Sequence, residues 1–227
     1  DRDGGPRAQS CGVTAPPDRI SLKLVLFFLL LHIVNQIDRQ LVAAFASDIM
    51  RDLELSRSQF ALIAGLAFSG VYAFTSVAAG LLADRLGRVR VLTGGVAVWS
   101  LFTALCGFAV SFLALFLFRV GVSIGEAGCT PPAQSLIADY FKPSSRATAV
   151  SIYALGVPLG GMLASIFGGQ LAGLDGAAFG AWINGVGLGW MFGQLDWANV
   201  EGWRVAFVVV GLPGLILSLI VWRTVAE

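Results

Sequence analysis

The chain has 227 residues, of which 56% are hydrophobic and 13% are charged, about half of the roughly 25% found in ordinary soluble domains. A mean hydropathy of +0.79 leaves too few polar residues to cover a soluble surface, so the composition places the chain in lipid. Lys and Arg number 15 and Asp and Glu 14, and a net charge of +1 excludes nucleic acid as a partner because binding it requires a strongly basic face.

A polar leader and six apolar stretches follow one another along the chain. Residues 1–20 are rich in Gly, Pro and charge, which predicts a disordered leader. Each later stretch has close to the about 20 residues that a helix needs to cross a bilayer. The predicted spans are about 22–46, 58–82, 91–110, 112–139, 147–172 and 204–222. The sequence therefore predicts an all-α membrane protein with a six-helix bundle over residues 21–224.

The basic residues indicate the orientation of these spans, because cytoplasmic loops hold an excess of Lys and Arg. The leader, the second and fourth loops and the tail hold ten: Arg2, Arg7, Arg19, Lys23, Arg85, Arg88, Arg90, Lys142, Arg146 and Arg223. The opposite loops hold three: Arg51, Arg57 and Arg204. We therefore expect both termini of this chain to be cytoplasmic, as an even number of spans requires.

Residues 173–203 hold an uncharged segment, 176–195, that is also long enough to span a membrane. Six of these twenty residues are glycine, and the aromatic residues in and beside the segment suit the bilayer interface. We expect an outside-facing interfacial loop or hairpin. The alternative is a seventh span, which would place the tail outside.

Four charges lie inside the predicted spans or near their ends: Asp38, Arg39, Arg119 and Glu126. Each costs roughly 2.5–3.5 kcal/mol near the centre of a helix, so these side chains should face a cavity or one another. Arg119 and Glu126 are two turns apart on one helix face, and Glu126 falls near the midplane, where a carboxylate is a candidate for carrying protons.

The heights of two of these charges predict an ion pair. Asp38 lies about 24 Å above the cytoplasmic end of its helix and Arg119 about 10 Å below the outer end of its own. In a core about 30 Å thick these levels nearly coincide, so Asp38 and Arg119 can meet. The adjacent Arg39 points about 100° away from Asp38 around the helix. The alternative is that Asp38 and Arg39 end the first helix at the interface and that Arg119 snorkels outward.

Residues 80–92 read G-L-L-A-D-R-L-G-R-V-R-V-L, with glycines flanking a tight connection between two spans. The pattern resembles the signature between the second and third helices of major facilitator superfamily transporters. The resemblance implies that Asp84, Arg85 and Arg88 belong to a charge network that holds the cytoplasmic gate shut. The alternative is a basic loop that only sets topology.

Further motifs resemble the Spinster-like branch of that superfamily over about 22–172. They are Asn35-x-x-Asp38-Arg39, Arg119 with Gly125-Glu126-Ala127, and Ala138-Asp139-Tyr140-Phe141. The resemblance implies the amino-terminal half of a 12-helix fold, a missing carboxyl-terminal six-helix partner, and a bacterial inner (plasma) membrane location. It also implies a small amphipathic or lipid-like substrate, because animal members export lysolipids and sphingoid phosphates, with membrane lipids as further partners.

The same resemblance assigns roles to the charges in the spans. Glu126 and Asp38 are candidates for proton coupling, and Arg119, Arg39 and Glu126 are candidates for substrate binding. Tyr153 is a further substrate-binding candidate, with packing as an equal alternative. His32 is a satisfied polar residue or a proton relay.

The fifth predicted span carries small residues at every fourth position, namely Gly156, Gly160, Ala164 and Gly168, which predicts close helix packing. Pro158 permits a bend there.

No phosphate loop, zinc-spaced His/Cys set or activated nucleophile is recognisable, so we expect neither an enzyme nor a metal site. We also expect no cofactor apart from protons as the coupling ion. The sequence thus favours a proton-coupled secondary transporter that works by alternating access. The alternative function is a membrane scaffold or pseudo-transporter that binds a partner or lipid without moving it.

Overall fold

The computed structural model describes residues 18–172, 176–185 and 200–225, and the secondary structure in these ranges is helical, as expected. The helices are α1 (Asp18–Ala44), α2 (Ala46–Asp52), α3 (Arg57–Ala61), a π-helix (Leu62–Gly70), α4 (Val71–Leu86), α5 (Arg88–Cys106), α6 (Phe112–Ala127), α7 (Thr130–Tyr140), α8 (Pro143–Ala154), α9 (Gly156–Ala172), α10 (Gly176–Gly185) and α11 (Gly202–Thr224).

Six segments within the described ranges are long and apolar enough to cross a membrane, which confirms the predicted number of spans. They are Leu22–Ala44, Arg57–Leu86, Arg88–Cys106, Phe112–Tyr140, Pro143–Ile166 and Gly202–Thr224. The second span runs past its predicted end at 82 because Gly87 alone, with φ of 97°, makes the connection to α5.

Two predicted segments are only partly tested. Helix α1 begins at Asp18, inside the leader predicted for 1–20, and residues 1–17 lie outside the described ranges. Within 173–203 the structure describes the ten-residue helix α10, but residues 186–199 lie outside the described ranges. The interfacial hairpin therefore stays a prediction.

Helices α5 and α6 pack backbone to backbone in the centre of the bundle. A Cβ added at Gly125 would overlap the backbone nitrogen of Trp99, and one added at Gly95 would lie 2.8 Å from the carbonyl oxygen of Gly125. Both positions therefore require glycine, and this contact fixes the height of α6, which carries Arg119 and Glu126.

Replacing Gly125 by alanine is expected to lower the free energy of unfolding by about 1–3 kcal/mol or more, because rigid backbone cannot move aside. Gly94→Ala is the matched control, since its Cβ meets nothing within 4 Å and alanine favours a helix. Thermal unfolding of the detergent-purified protein measures both. Equal melting temperatures for the two variants would contradict the packing argument.

The fifth span is broken at Leu155, between α8 and α9, three residues before Pro158. The predicted close packing of this span is confirmed against α1. A Cβ at Gly156 would lie 2.7 Å from Cβ of His32, and one at Gly160 would lie 2.5 Å from Cβ of Gln36.

A polar cluster joins α2, α11 and the loop after α5. The indole nitrogen of Trp203 donates to Oδ2 of Asp52 at 3.0 Å, and Arg204 reaches the same oxygen through Nε at 2.9 Å. Arg204 also donates to the carbonyl oxygen of Ala109 at 2.6 Å. This cluster ties together three elements at the end of the bundle opposite Gly87.

Candidate functional site

Asp38 and Arg119 form a buried ion pair between α1 and α6. Nη1 of Arg119 lies 3.6 Å from Oδ2 of Asp38, and their side chains are 2% and 0% exposed. This contact confirms the pairing predicted from the two heights and excludes the alternatives in which Asp38 ends its helix or Arg119 snorkels.

A second pair, which the sequence did not predict, joins Arg39 to Glu126. Nε of Arg39 donates to Oε2 of Glu126 at 2.6 Å. Glu126 is fully buried, whereas the Arg39 side chain is 28% exposed. Although Asp38 and Arg39 diverge around α1, the long Arg39 side chain reaches back to the helix that Asp38 also faces. Two carboxylates and two guanidinium groups therefore meet between α1 and α6.

Phe68 lies between the two guanidinium groups. The Cζ atoms of Arg39 and Arg119 lie 4.9 Å and 5.1 Å from its ring centroid, and Arg39 also lies 4.8 Å from the ring of Tyr72. Such contacts attract cations to the faces of aromatic rings. The two rings therefore hold the guanidinium of Arg39 in place beside Glu126.

Phe68 is delivered to this position by the π-helix Leu62–Gly70. The hydroxyl of Ser123 donates to the carbonyl oxygen of Phe68 at 2.7 Å. Because Ser123 lies between Arg119 and Glu126, this bond ties the π-helix to that part of α6. Wider helical turns of this kind are frequent at functional sites. The sequence contains no recognisable signal for the π-helix, although the spacing of Phe68 and Tyr72 places both rings on one helix face.

Several buried polar atoms of the four charged residues lack a hydrogen-bond partner within the described part of the chain. They are both carboxylate oxygens of Asp38, Oε1 of Glu126, and Nε and Nη1 of Arg119. Buried polar atoms in proteins almost always have partners. The hydrogen-bonding capacity of the four charged side chains is therefore incompletely satisfied within the described part of the chain.

Tyr153 lies in a neighbouring small cavity and not among the four charges. Its ring stacks on His32 with centroids 4.4 Å apart, and its carbonyl oxygen lies 3.0 Å from Nδ1 of His32. The cavity, of about 20 Å³, is also lined by Asn35 and Trp99. His32 is thus a hydrogen-bonded polar residue, and a role for Tyr153 in substrate binding remains a prediction.

The loop motif at 80–92 connects α4 to α5 and contacts the end of α7. Arg88 forms an ion pair with Asp139, not with Asp84 four residues before it. Asp84 and Arg85 are exposed, and Asp84 and Arg88 line a groove of about 330 Å³. The sequence showed Asp139 as part of the Ala138-Asp139-Tyr140-Phe141 motif, but it did not predict the pairing of Asp139 with Arg88.

Metal-binding groups of three or more His, Cys, Asp or Glu residues are absent from the described ranges. Cys106 and Cys129 are free thiols inside the bundle.

The chain is similar to known membrane transporters in both sequence and structure. A profile of the Major Facilitator Superfamily matches residues 28–227. The crystal structure of a bacterial homolog to the human lysosomal transporter Spinster, inward-facing and unoccupied, superposes with a TM-score of 0.90 at 45% identity. That match covers 93% of this chain and 44% of the other.

Two curated relatives are also similar to the chain. An MFS-type efflux pump of Mycolicibacterium smegmatis is 34% identical over 188 residues, which are 83% of this chain and 38% of the pump. A hexuronate transporter of Bacillus subtilis is 28% identical over 206 residues, which are 91% of this chain and 42% of the transporter. The chain thus spans about two fifths of the length of these relatives.

Proposed function

We propose, because this chain belongs to the Major Facilitator Superfamily and is similar to Spinster, that it is the amino-terminal bundle of a proton-coupled transporter of amphipathic anions. A second six-helix bundle would complete the substrate pathway, and alternating access would come from one bundle rocking against the other. Transporters of this family are not enzymes in general, and we propose no catalytic step. Both termini of this chain would face the cytoplasm, in a bacterial inner (plasma) membrane.

The Arg39–Glu126 pair is the observation that carries this proposal. The Glu126 side chain is fully buried, the Arg39 side chain is partly exposed, and 2.6 Å separates Nε of Arg39 from Oε2 of Glu126. When Glu126 is ionised, it holds the Arg39 guanidinium. When Glu126 takes up a proton, its hold on Arg39 weakens, and the guanidinium can bind an anionic group that enters the pathway. The Glu126 carboxylate and the anionic substrate thereby compete for the Arg39 guanidinium, which would couple protonation of Glu126 to substrate binding.

Asp38 and Arg119 would take part in this coupling from the fully buried side of the cluster. Their pair is buried on both sides, so Arg119 meets a substrate only if Asp38 releases it. The Phe68 ring contacts both arginines, so a movement of Arg39 would shift this ring and thereby change the position of Arg119. We therefore assign Asp38 to the coupling reaction and Arg119 to a headgroup contact that forms after release.

Asp84, Arg85 and Arg88 would latch the cytoplasmic side. Arg88 already links the α4–α5 connection to α7 through Asp139, while the carboxylate of Asp84 is exposed in the adjoining groove. Asp84 makes no ion pair within the described ranges, and we propose that it meets the second bundle when the gate is shut.

The cargo would be an anion with an apolar part. The bundle resembles a Spinster homolog, whereas the hexuronate relative is named for a sugar acid with no apolar tail. An arginine stacked between aromatic rings suits an anionic headgroup in either compound. We favour the amphipathic anion because the chain is more similar to the Spinster homolog.

Arg39→Gln is expected to abolish uptake of lysophosphatidylglycerol and to spare any uptake of neutral monoacylglycerol, since only the anion needs the guanidinium. Uptake is measured in proteoliposomes that contain the protein with this chain, under an imposed pH gradient. Arg57→Gln removes an exposed arginine at the start of α3 and is the matched control.

The alternatives give different results in the same assay. Wild-type uptake of glucuronate without uptake of lysophosphatidylglycerol would replace the amphipathic cargo by a sugar acid. Ligand-induced thermal stabilisation without any flux would favour the non-transporting scaffold. Equal loss of charged and neutral substrates in Arg39→Gln would contradict headgroup recognition.

A further inference from the structure

An apolar groove of about 510 Å³ runs along the bundle between α4, α5 and α6. Small and aliphatic side chains of α4 form one wall, including Ala78 and Leu82, and Val98 of α5 and Ile124 of α6 form the other. Gly94 forms part of the floor, and a Cβ added there would meet nothing within 4 Å. The groove is therefore lined mainly by hydrocarbon and lies at the level of the membrane-spanning segments.

Arg90 provides the charge at one end of this groove. It lies in the first turn of α5, next to the end of α4 at Leu86, and its side chain is exposed. Arg88 in the same turn is paired with Asp139, whereas Arg90 makes no ion pair within the described ranges. Arg90 is also the one charged residue among the groove-lining residues that the structure describes.

This combination matches a phospholipid. A hydrocarbon chain fills an apolar slot at membrane depth, and an arginine at the headgroup level attracts phosphate. Basic pockets between transmembrane helices bind anionic headgroups in this way. The other edge of α4 differs, because its groove exposes the carboxylate of Asp84 and suits a polar protein contact.

We propose that this groove binds one anionic phospholipid of the surrounding bilayer, with an acyl chain over Gly94 and its phosphate on Arg90. The lipid is a resident of the bundle and not the transported cargo, so the site does not depend on the proposed transport function. It stabilises the position of α4 against α5 and α6, close to Gly87 and to Asp84 and Arg88 on either side of it.

Native mass spectrometry of the protein containing this chain tests the site, with dioleoylphosphatidylglycerol and dioleoylphosphatidylcholine offered in equal amounts. We expect one retained phosphatidylglycerol per wild-type protein. Arg90→Gln should weaken its binding about fivefold, as expected for one arginine near an anionic lipid. Arg223→Gln is the matched control, because Arg223 is also exposed and belongs to the same end of the bundle, where Ser218 bonds to Thr93.

Gly94→Leu should abolish retention of the lipid by filling the groove, whereas Gly161→Leu, at another open glycine, should leave it unchanged. If Gly94→Leu fails to fold, Ala78→Leu fills the same groove from α4. Three results would overturn the proposal. Unchanged lipid retention in the folded groove variant would mean that a protein segment, and not a lipid, covers the groove. Equal losses in Arg90→Gln and Arg223→Gln would attribute the effect to general surface charge, and displacement of the lipid by excess lysophosphatidylglycerol would make the groove a cargo site.

Discussion

Asp38→Asn is expected to lower the free energy of unfolding by about 3–5 kcal/mol, because Arg119 would remain buried without its counter-charge. Arg119→Gln should cost a similar amount for the same reason, since Asp38 would then be the unpaired charge. These are large effects for a membrane bundle, and they follow from burial on both sides of the pair and not from the contact distance.

The double variant Asp38→Asn with Arg119→Gln separates pairing from packing. Removing both charges leaves no unpaired ion in the bundle, so the double variant should recover most of the stability lost in each single variant. Chemical or thermal unfolding in one detergent measures the four proteins of the cycle. Additive losses would mean that the two charges do not interact.

Asp48→Asn is the matched control for the asparagine substitution. Asp48 pairs with Arg51 at 3.1 Å, one turn away on α2, but the Arg51 side chain is 67% exposed. Exposed pairs contribute about 0–1 kcal/mol, so this variant should unfold close to wild type. A loss as large as that of Asp38→Asn would attribute the effect to the substitution type and not to burial.

Glu126→Gln is expected to remove the dependence of uptake on an imposed pH gradient while leaving substrate exchange intact. Glutamine retains an oxygen that can accept a hydrogen bond from Nε of Arg39, so the bundle should keep its shape. The glutamine amide cannot take up or release a proton near neutral pH. Uptake of lysophosphatidylglycerol into proteoliposomes is measured with and without the gradient, and exchange is measured with substrate on both sides.

Glu201→Gln is the control for the loss of a carboxylate. Glu201 precedes α11 and lies 3.5 Å from the exposed Arg51, outside the four-charge cluster. Its variant should respond to the gradient like wild type. Undiminished gradient-driven uptake by Glu126→Gln would end the coupling role, and loss of exchange as well as uptake would assign Glu126 to substrate binding instead.

The membrane fold and one of the two central pairs were predictable from the sequence. Hydropathy and length located six spans because about 20 apolar residues are needed to cross hydrocarbon. The constant rise of a helix placed Asp38 and Arg119 at one height, and the structure joins them. The loop signature at 80–92 and the motifs around Arg39 and Glu126 indicated the family that the profile comparison confirms.

Several contacts of the charged residues could not be predicted from the sequence. The Arg39–Glu126 pair depends on the direction that a long side chain takes, which sequence spacing does not determine. Phe68, which contacts both arginines, lies in a π-helix that the sequence does not predict. The partner of Arg88 is Asp139, 51 positions further along the chain, and not the nearby Asp84.

The sequence by itself predicted six membrane-spanning segments and the relative heights of the charges in them, because both follow from the cost of placing polar groups in hydrocarbon and from the fixed rise of a helix. Only the tertiary structure decided which charges meet. Partner choice depends on side-chain direction, on the π-helix and on the contact of Gly125 with α5, and the sequence alone predicted none of these three.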